Sequence, residues 1–308
     1  MLFPTSVTLL GPTASGKTAV AIEVARELEH LELVSVDSMT IYRELTIGTA
    51  KPAPSELVGI QYHLLGVVSV VNEYSLADYL RDCAVVSAEI SARGSRALLV
   101  GGTALYLKAV LDDLRPPGTF SGLRSWLEQR ATLPGGTACL YDLLKATDPA
   151  SAALIEQNNS RRIVRSLEVG LGSGSRFSTF GPGVASPSSI ARSIVGIDPG
   201  RVVLRQRIAS RVEQQIESGW LQEAAALMDW DLKVSRTAEQ ALGYKELRSY
   251  LRGEITLEEA KERIVARTYK FSKRQMAWFR RDSRIVWTKG PDEAKERILK
   301  EVAAVGDG

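Results

Sequence analysis

Gly11-Pro12-Thr13-Ala14-Ser15-Gly16-Lys17-Thr18 follows an apolar run at residues 7–10 and precedes a helical stretch at 19–28. The spacing satisfies G-x-x-x-x-G-K-[ST], and a strand before it with a helix after it is the context in which such a loop cradles phosphates. Backbone N–H groups of the loop and of the helix start would face the anion. Lys17 would add a point charge, and the Thr18 hydroxyl would ligate Mg²⁺. A diphosphate site is therefore expected over Gly11, Pro12, Thr13, Ala14, Ser15, Gly16, Lys17 and Thr18. The loop alone defines no reaction.

Outward from the loop, β-rich runs at 33–36 and 97–100 alternate with helical stretches, one of them at 75–93. This alternation is the pattern of a parallel α/β sheet. Runs at 193–197 and 284–287 read as later strands of the same sheet, separated from the first group by a mostly helical middle. The expected class is α/β, a P-loop NTPase-like parallel sheet flanked by helices, with an inserted helical domain. Pro116-Pro117-Gly118 opens the middle and a Gly/Ser/Pro-rich stretch at 172–189 closes it, compositions that end helices. The expected division is 1–114 with 190–308 as the core and 115–189 as the insertion. Helices are expected at 204–216, 221–228, 238–251 and 257–281, with Gly219 and Gly253 as stops.

Composition narrows the classes further. A chain of 308 residues, 44% hydrophobic and 24% charged, supports substantial cores and is neither disordered nor fibrous. No run approaches the length of a spanning helix and the N-terminus lacks a secretory pattern, so a soluble cytoplasmic protein without membrane association is expected, as a monomer. Two cysteines, Cys83 and Cys139, with two histidines support neither a disulfide framework nor a structural zinc site. The net charge of +3 hides an asymmetry: residues 261–284 carry nine Lys/Arg against Glu262 and Asp282, a local +7, which leaves −4 for the rest. Concentrated positive charge of this kind points to a polyanionic partner.

Candidate chemistry lies at strand ends. A hydrolase of this class needs an apolar strand ending in an acid that holds magnesium. The 97–100 run ends in Gly101-Gly102-Thr103 without one. Asp37 and Thr103 instead sit just past the carboxyl ends of two predicted strands, where ligands bind in open α/β sheets. Asp37 reads either as a general base with Thr103 as its hydroxyl partner, or as a cap of a turn beside Ser38. Two basic groups need a larger substrate. Arg161, Arg162 and Arg165 share one helix turn, and Lys273, Arg274, Gln275, Arg280 and Arg281 interleave with Tyr269, Phe271, Trp278 and Phe279. Cations among stacking rings suit unpaired RNA, and a solvated helix face over core aromatics is the alternative.

The same loop, followed by Val36-Asp37-Ser38, Tyr42-Arg43, Ile47-Gly48-Thr49-Ala50-Lys51-Pro52, Tyr74-Ser75, Ala77-Asp78, Gly101-Gly102-Thr103, Leu105-Tyr106, Gly243-Tyr244-Lys245-Glu246, Gly253-Glu254-Ile255 and Trp278-Phe279-Arg280, resembles the tRNA dimethylallyltransferases over residues 5–287. The resemblance implies Mg²⁺-assisted transfer of a dimethylallyl group from dimethylallyl diphosphate to N6 of adenine 37 in the tRNA anticodon stem-loop. It also implies Asp37 as the base with Thr103 in support, and Arg211 joining Lys17 and Thr18 on the diphosphate. Contacts to tRNA are implied at Asp37, Ser38, Met39, Thr40, Thr103, Arg124, Arg161, Arg162, Arg165, Gln240, Gly243, Tyr244, Lys245, Lys273, Arg274, Gln275 and Arg280. Thr40, Glu44 and Arg161 depart from the family pattern, where Gln, Gly and Gln are usual. The competing readings are a transferase acting on free adenine nucleotides, a P-loop kinase, and a non-catalytic RNA-binding protein.

Overall fold

The computed structural model describes residues 2–4, 6–114, 116–180, 193–229 and 234–306. The chain divides into two compact units, Met1–Asp113 with Ser188–Gly308, and Leu114–Pro187.

The first unit is built on β1 (Ser6–Leu10), α1 (Lys17–Glu27), β2 (Leu31–Val36), β3 (Tyr62–His63), α2 (Leu76–Ala92), β4 (Arg96–Gly101) and α3 (Ala104–Leu111). Six strands form one sheet in the order β3-β2-β4-β1, followed by two strands from the later part of the chain. Every pairing is parallel. β1 and β2 are buried along their whole length, which is why SVTLL and LELVSV read as nearly continuous apolar runs rather than alternating ones. Side chains of alternate strand positions feed two cores. Val7, Leu9, Leu33 and Val100 pack with Val20 and Val24 of α1 on one face, while Leu10, Val34, Val36 and Leu99 pack with Tyr79 and Leu107 of α2 and α3 on the other.

Gly101 closes the C-terminal end of β4 against β2. A Cβ there would stand 2.0 Å from the carbonyl oxygen of Val36, so the two strand ends approach only because the side chain is absent. Gly101→Ala is expected to destabilise by about 1–3 kcal/mol through forced backbone displacement, seen as a lower denaturation midpoint with an unchanged slope.

The second unit holds four helices, α4 (Ser121–Ala131), α5 (Gly136–Thr147), α6 (Pro149–Leu154) and α7 (Ser160–Ser173). Its own core gathers Leu127, Leu140, Leu144, Ile163, Val164 and Leu167. α7 continues two residues into the stretch expected to be loop from 172, and a 3₁₀ turn follows at Phe177–Thr179. Residues 181–192, where the insertion was expected to end, lie outside the described residues.

The first unit resumes with β5 (Ser193–Ile197), α8 (Arg201–Glu217), α9 (Trp220–Asp229), α10 (Tyr244–Leu251), α11 (Leu257–Phe279), β6 (Ile285–Thr288) and α12 (Pro291–Gly306). β5 pairs with β1 and β6 with β5, completing the sheet. One expected helix is broken: 238–251 is a 3₁₀ turn at Ala238–Gln240, then Gly243 at φ +94°, then α10. The break is set by packing, because a Cβ at Gly243 would fall 2.2 Å from the Trp220 ring. Edge strand β3 and α12 were not anticipated. Among the described residues no helix is long and apolar enough to cross a membrane.

Candidate active site

The strand order places β1 centrally, with β4 and β2 to one side and β5 to the other. The carboxyl ends of β1, β2 and β4 therefore share one crevice at the switch point, where open α/β sheets take their ligands. Each delivers one of the expected segments: the phosphate loop after β1, Asp37 after β2 and Thr103 after β4.

The loop turns on left-handed backbone at Ala14 (φ +63°) and Gly16 (φ +96°). A helical start with residues of opposite handedness makes a concave set of N–H groups, an anion cradle. The loop is braced by α8 and α11. Arg211 Nη1 lies 3.4 Å from the Thr13 hydroxyl, and Arg207, one turn earlier, donates to the carbonyl of Ser15 at 3.1 Å. Gln275 spans two segments, accepting the Thr13 N–H at 3.0 Å and donating to the Gly102 carbonyl at 2.7 Å. Arg207 was not among the expected site residues, although its spacing from Arg211 on one helix face was visible. Gln275, expected at the tRNA, is buried, with both ends of its amide engaged in this brace.

A cavity of about 490 Å³ opens over the loop. Thr13, Lys17, Thr18 and Arg211 line one part of it; Asp37, Ser38, Met39, Thr40 and Thr103 line another, with Arg267, Phe271 and Arg274 of α11. Burial lowers the Lys17 ammonium to about 8, with Asp37 opposing that shift and Arg211 adding to it. Arg211 is lowered from its ordinary value by burial, against the pull of Asp37. Two buried cations beside the phosphate loop favour an anionic ligand there.

Asp37 takes the capping role that its sequence context offered. Its Oδ1 accepts the N–H groups of Met39 (2.8 Å) and Thr40 (3.3 Å), so it caps the turn. Oδ2 has no hydrogen-bond partner among the described residues, and the residue lines the cavity. Thr103 works through Ser38: its Oγ1 accepts the Ser38 N–H at 3.0 Å and donates to the Ser38 hydroxyl at 3.3 Å. It thereby ties the strand ends of β2 and β4 together beside Asp37. Thr40 is held by its hydroxyl against that of Ser35 at 2.9 Å.

The remaining expected contacts separate by exposure. Lys245, Lys273, Arg274 and Arg280 are exposed, as are Arg161 and Arg162 on the helical unit, whereas Arg124 is half-buried and paired with Glu128. Lys273 stacks over Tyr269 and Arg274 over Phe271. The local +7 is partly neutralised, because Lys261, Arg267, Arg280 and Arg284 form ion pairs with Glu213, Glu246, Asp198 and Asp112 outside the segment. Three residues turn inward. Arg165 donates to the carbonyls of Pro117 and Gly118 and pairs with buried Glu168, fixing the entrance of the helical unit. Gly243 and Tyr244 are buried against Trp220, and Tyr244 gives its hydroxyl proton to Glu223. Gln240 donates to the carbonyl of Arg236 and lines the cavity.

Fold and site together define a parallel α/β protein of the phosphate-loop class with an acid and several cations on one cavity. The chain belongs to the IPP transferase family, whose model matches residues 40–282. It is 40% identical over 305 residues to a tRNA dimethylallyltransferase of Nocardioides sp., covering 98% of this chain and 97% of that one. A second such enzyme, from Salinispora tropica, is 43% identical over 302 residues, covering 98% and 92%. Among solved structures, the full-length tRNA isopentenylpyrophosphate transferase of Bacillus halodurans aligns with a TM-score of 0.68 at 33% identity, covering 98% of both chains. A eukaryotic dimethylallyltransferase described as acting on tRNA aligns with a TM-score of 0.76 at 25% identity, covering 98% of this chain and 78% of that one.

Proposed function

We propose that this chain transfers a dimethylallyl group from dimethylallyl diphosphate to N6 of adenine 37, beside the tRNA anticodon, and releases diphosphate. The observation that carries this reading is the sharing of one cavity by the phosphate loop, with Lys17 and Arg211, and by Asp37 with an unengaged carboxylate oxygen. Relatives of nearly equal length are named for the same activity.

An adenine amine is a weak nucleophile, so its attack is coupled to departure of the leaving group. As the C–O bond of the donor breaks, negative charge grows on the diphosphate, where Lys17, Arg211 and the loop amides stabilise it. The N6–C bond forms at the same carbon, and the N6 proton passes to Asp37 and from there to solvent. The adenine leaves its stack to reach the cavity, as chemistry on a base requires. Thr103 keeps Ser38, and with it the Asp37 turn, at the end of β4.

The donor set fits magnesium. Among the described residues no group of three His, Cys, Asp or Glu forms a metal cage. The Thr18 hydroxyl offers one hard oxygen at the cavity, which suits an ion that keeps waters and binds through substrate phosphates. When bound, the ion neutralises charge on the departing diphosphate.

Exposed Arg161, Arg162, Lys245, Lys273, Arg274 and Arg280, with half-buried Arg124, are proposed as electrostatic contacts to tRNA. Replacing Lys273 and Arg274 together by Ala is expected to weaken tRNA binding and to reduce the slope of log affinity against log salt by about 2, one for each phosphate no longer neutralised. An unchanged slope in filter-binding titrations would return the pair to an ordinary solvated face.

The decisive experiment supplies labelled dimethylallyl diphosphate with tRNA, AMP and ATP in parallel, followed by mass spectrometry of the nucleoside digest. The expected product is N6-dimethylallyladenosine from the anticodon loop of tRNA. Transfer to AMP with none to tRNA, or consumption of ATP without a prenyl product, would refute the reading.

A further inference from the structure

Glu223 lies in the first turn of α9, away from Asp37 and the phosphate loop in the chain and assigned no part in the reaction. Its Oε2 accepts the N–H groups of Thr46 (3.0 Å) and Ile47 (2.8 Å) together with the Thr46 hydroxyl. Its Oε1 accepts the N–H of Gly48 (3.0 Å) and the hydroxyl of Tyr244 (2.5 Å). Five donors thus converge on one carboxylate, and three of them are consecutive amides, the geometry of an anion nest. The opposite side of the same peptide segment is held by Gln215 of α8, whose Nε2 donates to the carbonyls of Ile47 (2.6 Å) and Gly48 (3.1 Å). Burial pushes the Glu223 carboxyl up, but the bonds from Thr46, Tyr244 and the amides outweigh it and hold the group below the ordinary Glu range.

Trp220, at the start of the same helix, completes the hub. Its ring is 1% exposed and lies between glycines of two different segments. A Cβ at Gly48 would stand 2.3 Å from its Nε1, and a Cβ at Gly243 2.2 Å from its ring edge. The residues adjoining those glycines are cavity walls: Thr49, Ala50 and Pro52 after Gly48, and Gln240, Ala241 and Leu242 before Gly243. Glu223 reaches the first segment through its amides and the second through Tyr244.

We infer that Glu223 is a positioning residue, an internal anion whose carboxylate holds two walls of the cavity, 48–52 and 240–242, at the separation that admits the acceptor nucleotide. The acceptor clause rests on the function proposed above; the joining of the two walls does not. A carboxamide at this position would lose the charge that strengthens each of these bonds and would turn an N–H₂ group toward other donors.

The test combines backbone exchange with turnover. In Glu223→Ala, amides of the peptide covering 45–52 are expected to exchange at least about tenfold faster, equivalent to losing one net charge-assisted bond. KM for tRNA is expected to rise about 10- to 100-fold on the same basis, with a smaller fall in kcat and an unchanged pH profile of kcat. Formate fits the vacated nest and is expected to restore both slow exchange and KM in Glu223→Ala, while leaving the parent protein unaffected. Glu223→Gln should be impaired without responding to formate. Exchange over 45–52 and KM both at parental values in Glu223→Ala would overturn the inference. So would a loss of protection spread uniformly over the sheet that formate does not reverse, since that marks a residue needed for folding alone. Because exchange is read without substrate, a parent protein inactive on tRNA would sink the proposed reaction while leaving the wall-joining role to be judged separately.

Discussion

Asp37→Asn is expected to lower the single-turnover rate of prenyl transfer by about 10²- to 10⁴-fold, the usual contribution of a positioned general base, while tRNA affinity stays within a few-fold. The asparagine is the informative substitution because Asp37 also caps its own turn through Met39 and Thr40. Asn keeps an oxygen for that cap and removes only the basic oxygen. Asp37→Ala removes both, so the gap between the two variants in thermal stability reports the cap, typically about 1 kcal/mol for a missing side-chain acceptor. A rapid-quench measurement showing near-parental transfer in Asp37→Asn would take Asp37 out of the chemistry and leave it as a turn residue.

Lys17→Ala should reduce kcat/KM for the prenyl donor by about 10²- to 10³-fold, the scale seen when one preorganised donor to developing charge is removed. A pH signature accompanies it. Burial lowers Lys17 to about 8 in the free protein, so its positive charge is present below that pH and is lost as pH rises through it. The parent's kcat/KM for the donor should therefore fall above about pH 8, a limb that Lys17→Ala lacks. In the bound state the diphosphate favours the ammonium form, which moves the corresponding limb of kcat to higher pH. A profile of kcat/KM flat to pH 10 would contradict the charge role given to Lys17.

Much of the fold was legible because of its burial. Strands covered on both faces leave nearly continuous apolar runs, and each of the five runs marked as strands, the half-covered β6 included, is a strand of the sheet, with ends shifted by no more than two residues. The residues placed at the ends of those strands then meet in one crevice by topology alone. Packing between distant segments was less accessible. The break at Gly243 depends on the Trp220 ring, and nothing local distinguishes it from a glycine tolerated inside a helix. Gln275 and Arg165 sit in basic, RNA-like stretches, yet Gln275 is engaged by backbone groups and Arg165 by two backbone carbonyls and the Glu168 carboxylate, all within their own units. Glu223 carried no signal, since one acid on an amphipathic helix resembles any other until its five partners converge. α12 was readable in principle: Pro291-Asp292-Glu293 is a helix-start pattern.

The sheet's pairing order has a consequence for biosynthesis. β1 is made well before its partners, since Val7 pairs with Ser193 on one side and Ser6 with Ala97 on the other. One edge of the strand that carries the phosphate loop therefore stays open until Ser193 has been made, and Ile285 must emerge before β5 is covered in turn. The helical unit between them has its own core, so it can order while β1 waits. Non-local parallel pairing of this kind slows folding and leaves apolar edges exposed to association, which makes the interval before β5 is synthesised the stage at which the nascent chain most needs protection by chaperones.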